Sequence, residues 1–368
     1  MLTRGDDYPI HQTPEPVAYA GTDRNFYDRY FFNGYTADGA TFFAAALGVY
    51  PHLNIMDASF CVVRDGVQHN LHASRVLNME RMDIRVGPIS IDIVEPLNKL
   101  RVRVGDNEYG ITADVTFAAR ALPVEEPRFV RRIGPRTVMD YTRLTQNGCY
   151  SGWVDVKGDR VEVTPDAFVG TRDRSWGVRP VGAADSQPVA PPPPPQFYWL
   201  WAPLNFEDCF SLYHLNDDTH GRPWNTEAVV GALGETEAAH IANCRSDMVF
   251  KSGTRHAQAA TLFFDDGAGG ETRIELEPQW NFYMSGLGYM SENWGHGHYK
   301  GELAVGYEEF DLNTLDESEM RFLHVQAFVK ARMLRPDGSE RLGCGVLEQL
   351  IIGAHEPSGF RDVMDMAP

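Results

Sequence analysis

Cysteine is scarce and scattered in this chain of 368 residues: Cys61, Cys149, Cys209, Cys244 and Cys344. No two stand at CxxC spacing, which argues against a zinc cage or a disulfide framework, and an odd number suits a reducing compartment. The N-terminal stretch MLTRGDDYPIHQTPEP has no apolar core, so no signal peptide is read there. No apolar window reaches about 18 residues, so no integral membrane segment is expected. A soluble, cytoplasmic protein is the expectation. Basic stripes are also missing. Lys and Arg total 33 against 51 Asp and Glu, a net charge of −18. That balance disfavours nucleic acid and anionic membrane surfaces as partners, and leaves a neutral, greasy ligand unaddressed. The chain lacks a Gly-x-Ser-x-Gly elbow, a Walker loop and a dinucleotide-binding glycine fingerprint. Hydride and phosphoryl transfer are disfavoured, and no cofactor is expected. Helical periodicity is nearly absent; only DLNTLDESEM (311–320) suggests a short helix.

What the chain has in abundance is alternation of period two. The run 41–50 reads as a strand. The runs 58–64 and 67–72 flank Asp65-Gly66, the strongest short hairpin signal. Further strands are predicted at 88–94, 98–103, 110–118 and 151–157. A second series falls at 197–201, 208–216, 225–232, 246–251, 259–264, 271–277, 299–306, 321–334 and 345–352. DDGAGG (265–270) is read as a hairpin turn. This cadence predicts an all-β chain of two tandem lipocalin-like antiparallel barrels or sandwiches with few short helices. Between the two series lies 182–196 with five consecutive prolines, 191–195. Proline cannot join a ladder and favours an extended, solvated backbone, so the run reads as a connector in preference to an SH3-type ligand. The predicted domains are therefore 1–190, ending in the DRSWG motif, and 191–368.

Just before the connector stands GTRDRSWGVRP (170–180), an unusual density of charge for a surface loop. Two roles compete for it. Asp173 pairs with Arg172, Arg174 or Arg179 to lock a corner while Trp176 plugs a barrel end, or Asp173 is a catalytic acid. A tryptophan beside arginines invites cation–π packing. The motif resembles the Asp-His-Asn/Ser-Trp-Gly signature of the carotenoid 1,2-hydratase and AttH-like family, to which tocopherol cyclases look remotely related. NFYDRYFFNG (25–34) resembles that family's opening strand, and ENWGHG (292–297) and GVLEQ (345–349) resemble pieces of its bacterial branch. The usual His after the Asp is Arg174 here, and a Tyr two residues before it is Thr171. The resemblance implies lipocalin-like domains and hydration or proton-initiated cyclisation of an isoprenoid or polyene double bond.

Such chemistry requires an acid, a dry pocket and aromatic faces to steady a carbocation. The candidate catalytic residues are Asp173, His296 and Glu348. Glu348 stands alone among apolar residues in GVLEQLII (345–352), where alternation puts Val346, Glu348 and Leu350 on one face. His296 and His298 lie two apart, on one side if extended, and suit acid–base work or ligand hydrogen bonding better than metal, for which a third ligand at convincing spacing is missing. Candidate substrate-binding residues are Arg174, Trp176, Trp199, Tyr289, Trp294 and His298. The expected partner is a hydrophobic small molecule, and a homodimer stays open. Two functions stand together: an acid-catalysed hydratase or cyclase, and a non-catalytic lipid or isoprenoid carrier.

Overall fold

A computed structural model describes all residues except 12–15, 20, 22, 188–189 and 364. The chain divides into two compact units. The first comprises 1–192 with 286–311, and the second 193–285 with 312–368. Both are all-β, the first a nearly closed barrel and the second a half-barrel sheet. Among the described residues, helix is limited to four short 3₁₀ turns. None is long and apolar enough to cross a membrane. The stretch 311–320 forms turns and not the predicted helix. Its acidic, Asn- and Thr-rich composition serves turns as readily as a helical first turn.

The first unit's main path runs Leu303–Asp311, Val67–Val76, Ile55–Arg64, Phe42–Tyr50, Phe26–Thr36, Phe168–Val178, Arg136–Val156, Ile111–Ala119, Lys99–Val104, Ile89–Glu95, Arg85–Val86, all antiparallel. Its hairpin at Asp65-Gly66 has positive φ at both residues, as a type I′ turn demands. The last strand in sequence, Leu303–Asp311, comes from far downstream of the proline run and pairs with Val67–Val76. The barrel interior is packed with side chains, among them Tyr30, Phe32, Phe43, Phe60, Phe117, Tyr150 and Phe168. In the second unit the order is Ala239–Ile241, Pro223–Ala232, Cys209–Asp217, Phe197–Phe206, Glu340–Ile352, Val325–Leu334, Glu271–Tyr283, Ala257–Asp265, Cys244–Phe250. Its core gathers Leu200, Leu204, Tyr213, Leu262, Ile274 and Leu347. The prolines 191–195 are exposed and outside any strand. Pro188 and Val189 of the same connector lie outside the described residues.

The arginine-rich motif is not a loop. It forms the middle of Phe168–Val178, paired on both sides. Alternation then sorts its charges. Arg172 and Arg174 point to the core side and are both fully buried. There the N-terminal turn Arg4–Asp7 and the residues after it meet them. Asp7 Oδ1 accepts from Arg172 at 2.6 Å, while Arg172 Nε donates to Gln146 at 2.9 Å. Arg174 pairs with Asp28, donates to Tyr8 O at 2.9 Å, and lies 4.0 Å over the Tyr30 ring. Burial pushes the Asp28 carboxyl up, but Arg174 and His11 outweigh it and hold the group below its ordinary range. A buried pair whose partner is removed leaves an uncompensated charge. Replacing Asp28→Ala is therefore expected to cost about 3–5 kcal/mol by urea unfolding. Asp159→Ala, which breaks the exposed Arg64–Asp159 bridge of 2.9 Å, should cost less than about 1 kcal/mol. Equal costs would contradict this account of the buried pairs.

Candidate functional site

The side of the first unit's sheet turned away from the barrel core carries most of its unexplained polar chemistry. Strand Phe26–Thr36 places Arg29, Phe31 and Asn33 there, because Tyr30 and Phe32 belong to the core. The same parity puts Thr171, Asp173 and Ser175, then Arg143 and Thr145, on that side. Asp57 and Ser59, then His72 and Ser74, follow on the strands beyond. Asp173 is opposite Phe31 on one neighbour and Thr145 on the other. It is only partly buried, and its charge acts on Arg143 and Tyr27. Arg143 in turn forks onto Glu126 at 2.6–3.0 Å.

Asp57 is a site residue that sequence reading missed. A glycine makes it possible: a Cβ on Gly48 would lie 2.2 Å from the Tyr50 hydroxyl, because that ring leans over Gly48 towards Asp57. Tyr50 donates to Asp57 Oδ1 at 3.1 Å, and the Gly297 N–H donates to Oδ2 at 2.7 Å. Burial drives this carboxyl up to about 6, against the opposing pull of Arg29, the two donors and Arg179. The signal was a lone acid in an apolar strand, the same signal that singles out Glu348.

Asp57 lines a pocket of about 260 Å³, mouth included, with Ser59, His72, Trp294, His296 and His298. Its enclosed part has room for roughly one water. Trp294 stacks on His72 at 5.2 Å and fits because position 306 is glycine, where a Cβ would meet the indole at 2.2 Å. Ser59 Oγ lies 3.0 Å from His72 Nδ1, and Glu308 is 3.6 Å from Nε2. Burial lowers the His72 pKa despite Glu308, so the ring is neutral at pH 7. His296 receives Arg29 Nη1 on Nε2 at 2.5 Å, since an arginine can only donate. Tyr289 sits edge-on against His296 at 4.4 Å. His296 and His298 occupy a turn containing Gly297 at φ 72°, and not an extended segment.

The predicted residues thus fall in three places. Tyr289, Trp294, His296 and His298 gather near Asp57. Asp173 shares their side of the sheet, but strands Phe26–Thr36 and Phe42–Tyr50 lie between it and Asp57. Three strand spacings amount to about 14 Å, so these two carboxyls do not serve one double bond together. Arg174 and Trp176 are on the core side, where Trp176 stacks on His11 at 3.9 Å and lies 5.9 Å from Arg174. Glu348 and Trp199 belong to the second unit. There Glu348 accepts from Trp199 Nε1 at 3.0 Å, Gln326 Nε2 at 2.7 Å and His324 Nε2 at 2.8 Å. Three donors suit an ionised carboxylate, and the pair with His324 fixes that ring's orientation. His324 and Gln326 were missed because neither stands out in the sequence. Gln349, next to Glu348, faces the core and takes the Ala257 N–H at 2.8 Å. Among the described residues no three His, Cys, Asp or Glu groups are placed to hold a metal.

Two all-β units, one a nearly closed barrel, with polar clusters on the sides turned away from their cores, define a lipocalin-like protein of two units. Solved structures share this fold. A protein assigned to AttH from Nitrosomonas europaea aligns with a TM-score of 0.54 at 12% identity, covering 93% of this chain and 98% of that one. Kievitone hydratase from Nectria haematococca aligns with a TM-score of 0.50 at 10% identity, covering 94% and 97%. At such identities the likeness is one of fold. No curated protein matches the sequence. The model of DUF8625, a family of unknown function, matches residues 2–361, and the chain belongs to that family.

Asp57 gives the site a pH signature. Its pKa is raised from 3.8 to about 6, so the folded state holds a proton the unfolded chain has released. Stability from this group is complete below pH 4 and falls as pH rises to 6, by about 3 kcal/mol for two units. Measured by urea unfolding at several pH values, Asp57→Asn should gain on the native protein by that amount between pH 4 and 6. A gap constant with pH would rule the assignment out.

Proposed function

We propose that the chain is a cofactor-independent hydratase-type enzyme. It adds water to, or cyclises, a double bond of a hydrophobic terpenoid, steroid-like or polyene substrate by acid catalysis. The observation that carries this reading is the sorting of the motif. Arg172 and Arg174 are ion-paired to Asp7 and Asp28 on the core side, whereas Asp173 faces the other way, beside Phe31 and Thr145. Asp173 takes no part in those two pairs and lies on the side of the sheet where we place the ligand. The packed barrel interior also speaks for a ligand outside it.

In this reading the Asp173 carboxyl gives its proton to an alkene carbon, forming a C–H bond and a carbocation at the neighbouring carbon. The aromatic face of Phe31 steadies the positive charge. Water adds through oxygen, and the proton it sheds returns to the carboxylate, so acid and base are the same group at different stages. In cyclisation a second double bond takes the place of water, and the cation so formed loses a C–H proton to the carboxylate to leave an alkene. Glu348 with His324, and His296 with Tyr289, are the further proton-handling and ligand-contacting groups. Trp199, held to Glu348, and Trp294, against His72, offer aromatic faces to an unsaturated ligand. The hydratase named among the structures of the same fold supports the reaction class.

The test uses purified protein with a panel of acyclic and cyclic terpenoids in heavy-oxygen water, with products read by mass spectrometry. Heavy oxygen should enter a product with the native protein. Asp173→Asn should lower that incorporation by about 10²–10⁴-fold, the usual contribution of a general acid. Equal labelling by both proteins would remove Asp173 from the mechanism. Tight binding without label, equal in both, would establish a carrier.

A further inference from the structure

Arg29 and Arg179 are the least balanced charges in the first unit. Other buried arginines there have an acid or a set of carbonyls: Arg172 has Asp7, Arg174 has Asp28, Arg143 has Glu126. Arg29, only 2% exposed, uses Nη1 on His296 and Nη2 on Leu287 O at 3.1 Å. Its Nε is buried with no hydrogen-bond partner. Arg179 leaves Nε and Nη2 buried and unpartnered. Neither guanidinium forms an ion pair among the described residues. Both lean on the same ring: Tyr289 lies 4.8 Å from Arg29 and 5.4 Å from Arg179. Asp57 is the carboxyl that feels both, and it is one charge against two. Two buried guanidinium groups with unused donors and a surplus of positive charge are costly unless something negative completes them. Arg179, Tyr289 and His296 are partly exposed, so the cluster reaches the surface.

We propose that Arg29 and Arg179 bind an anionic oxygen, carboxylate or phenolate, carried by an unsaturated apolar ligand whose body lies along Tyr289. The guanidinium fork matches a two-oxygen acceptor, and the ring between the forks offers a flat face to a conjugated chain. This names the substrate class for the site in the proposed function and rests on that reading for its catalytic meaning. The ligand is then not a pure hydrocarbon: its acidic head is anchored beside Asp57, and its double bond extends towards Asp173.

Binding alone tests this, with the full chain at pH 7.5 and tryptophan quenching as the readout. Two matched pairs separate the sources of the anion. Retinoate against retinol tests a carboxylate, and 4-hydroxystilbene against stilbene a phenol, which bound as phenolate shows red-shifted absorbance. At least one acidic member should bind about tenfold or more tighter than its neutral twin, the value of one charged hydrogen bond. Arg179→Gln should bring the pair within about twofold, and Arg179→Lys, keeping charge without the fork, should fall between. The native comparison decides even if a variant does not fold. No preference in either pair overturns the proposal. Heavy-oxygen incorporation without any acid preference would keep the hydratase and discard this site; acid preference without incorporation would do the reverse.

Discussion

The first unit turns on two ion pairs that contain no apolar atom at their centre. Arg172 with Asp7 and Arg174 with Asp28 sit fully buried on the core side of the sheet, where apolar side chains normally pack. Their strength is conditional: either member alone is a buried charge, and only the pairing makes burial tolerable. The first pair ties the N-terminal turn to the strand at the middle of the sheet, along with the rings of Trp176 and His11, and the second joins that strand to its neighbour Phe26–Thr36. Because an alternating strand cannot put adjacent residues on one side, locking the arginines inward forces Asp173 outward. The same two pairs therefore decide which way Asp173 faces.

Much of the fold was legible because its signal is periodic. Asp65-Gly66 carries its own turn chemistry, and GVLEQLII alternates as read, with Leu347 in the core and Glu348 opposite. The strand Phe168–Val178 was not legible. Arg-Asp-Arg in sequence looks solvated, and a pattern scan cannot know that acids 140 and more residues away will neutralise each arginine. The long strand Arg136–Val156 escaped similarly, since only its final third alternates cleanly.

The site divided along the same line. Residues conspicuous by composition, such as Trp294 and His296, were visible in the sequence, and so was Glu348. Their supports were not: His324, Gln326, Arg29 and Asp57 gain meaning only from neighbours brought in by pairing. Asp57 shows how narrow the margin is. It stands in NIMDASF as a single acid between apolar residues, yet burial pushes its carboxyl up to about 6 against the pull of Arg29 and Tyr50.

Strand Leu303–Asp311 belongs to the first unit although residues 193–285 of the second precede it in the chain. On a ribosome, the barrel therefore waits for its edge. Until residue 311 has emerged, the strand Val67–Val76 offers an unpaired ladder to whatever lies nearby, and a nascent chain in that state is open to strand exchange with another copy. The growing second unit is thus made inside a window during which the first is unfinished. A truncated message ending at the proline run would encode not a small barrel but an adhesive one.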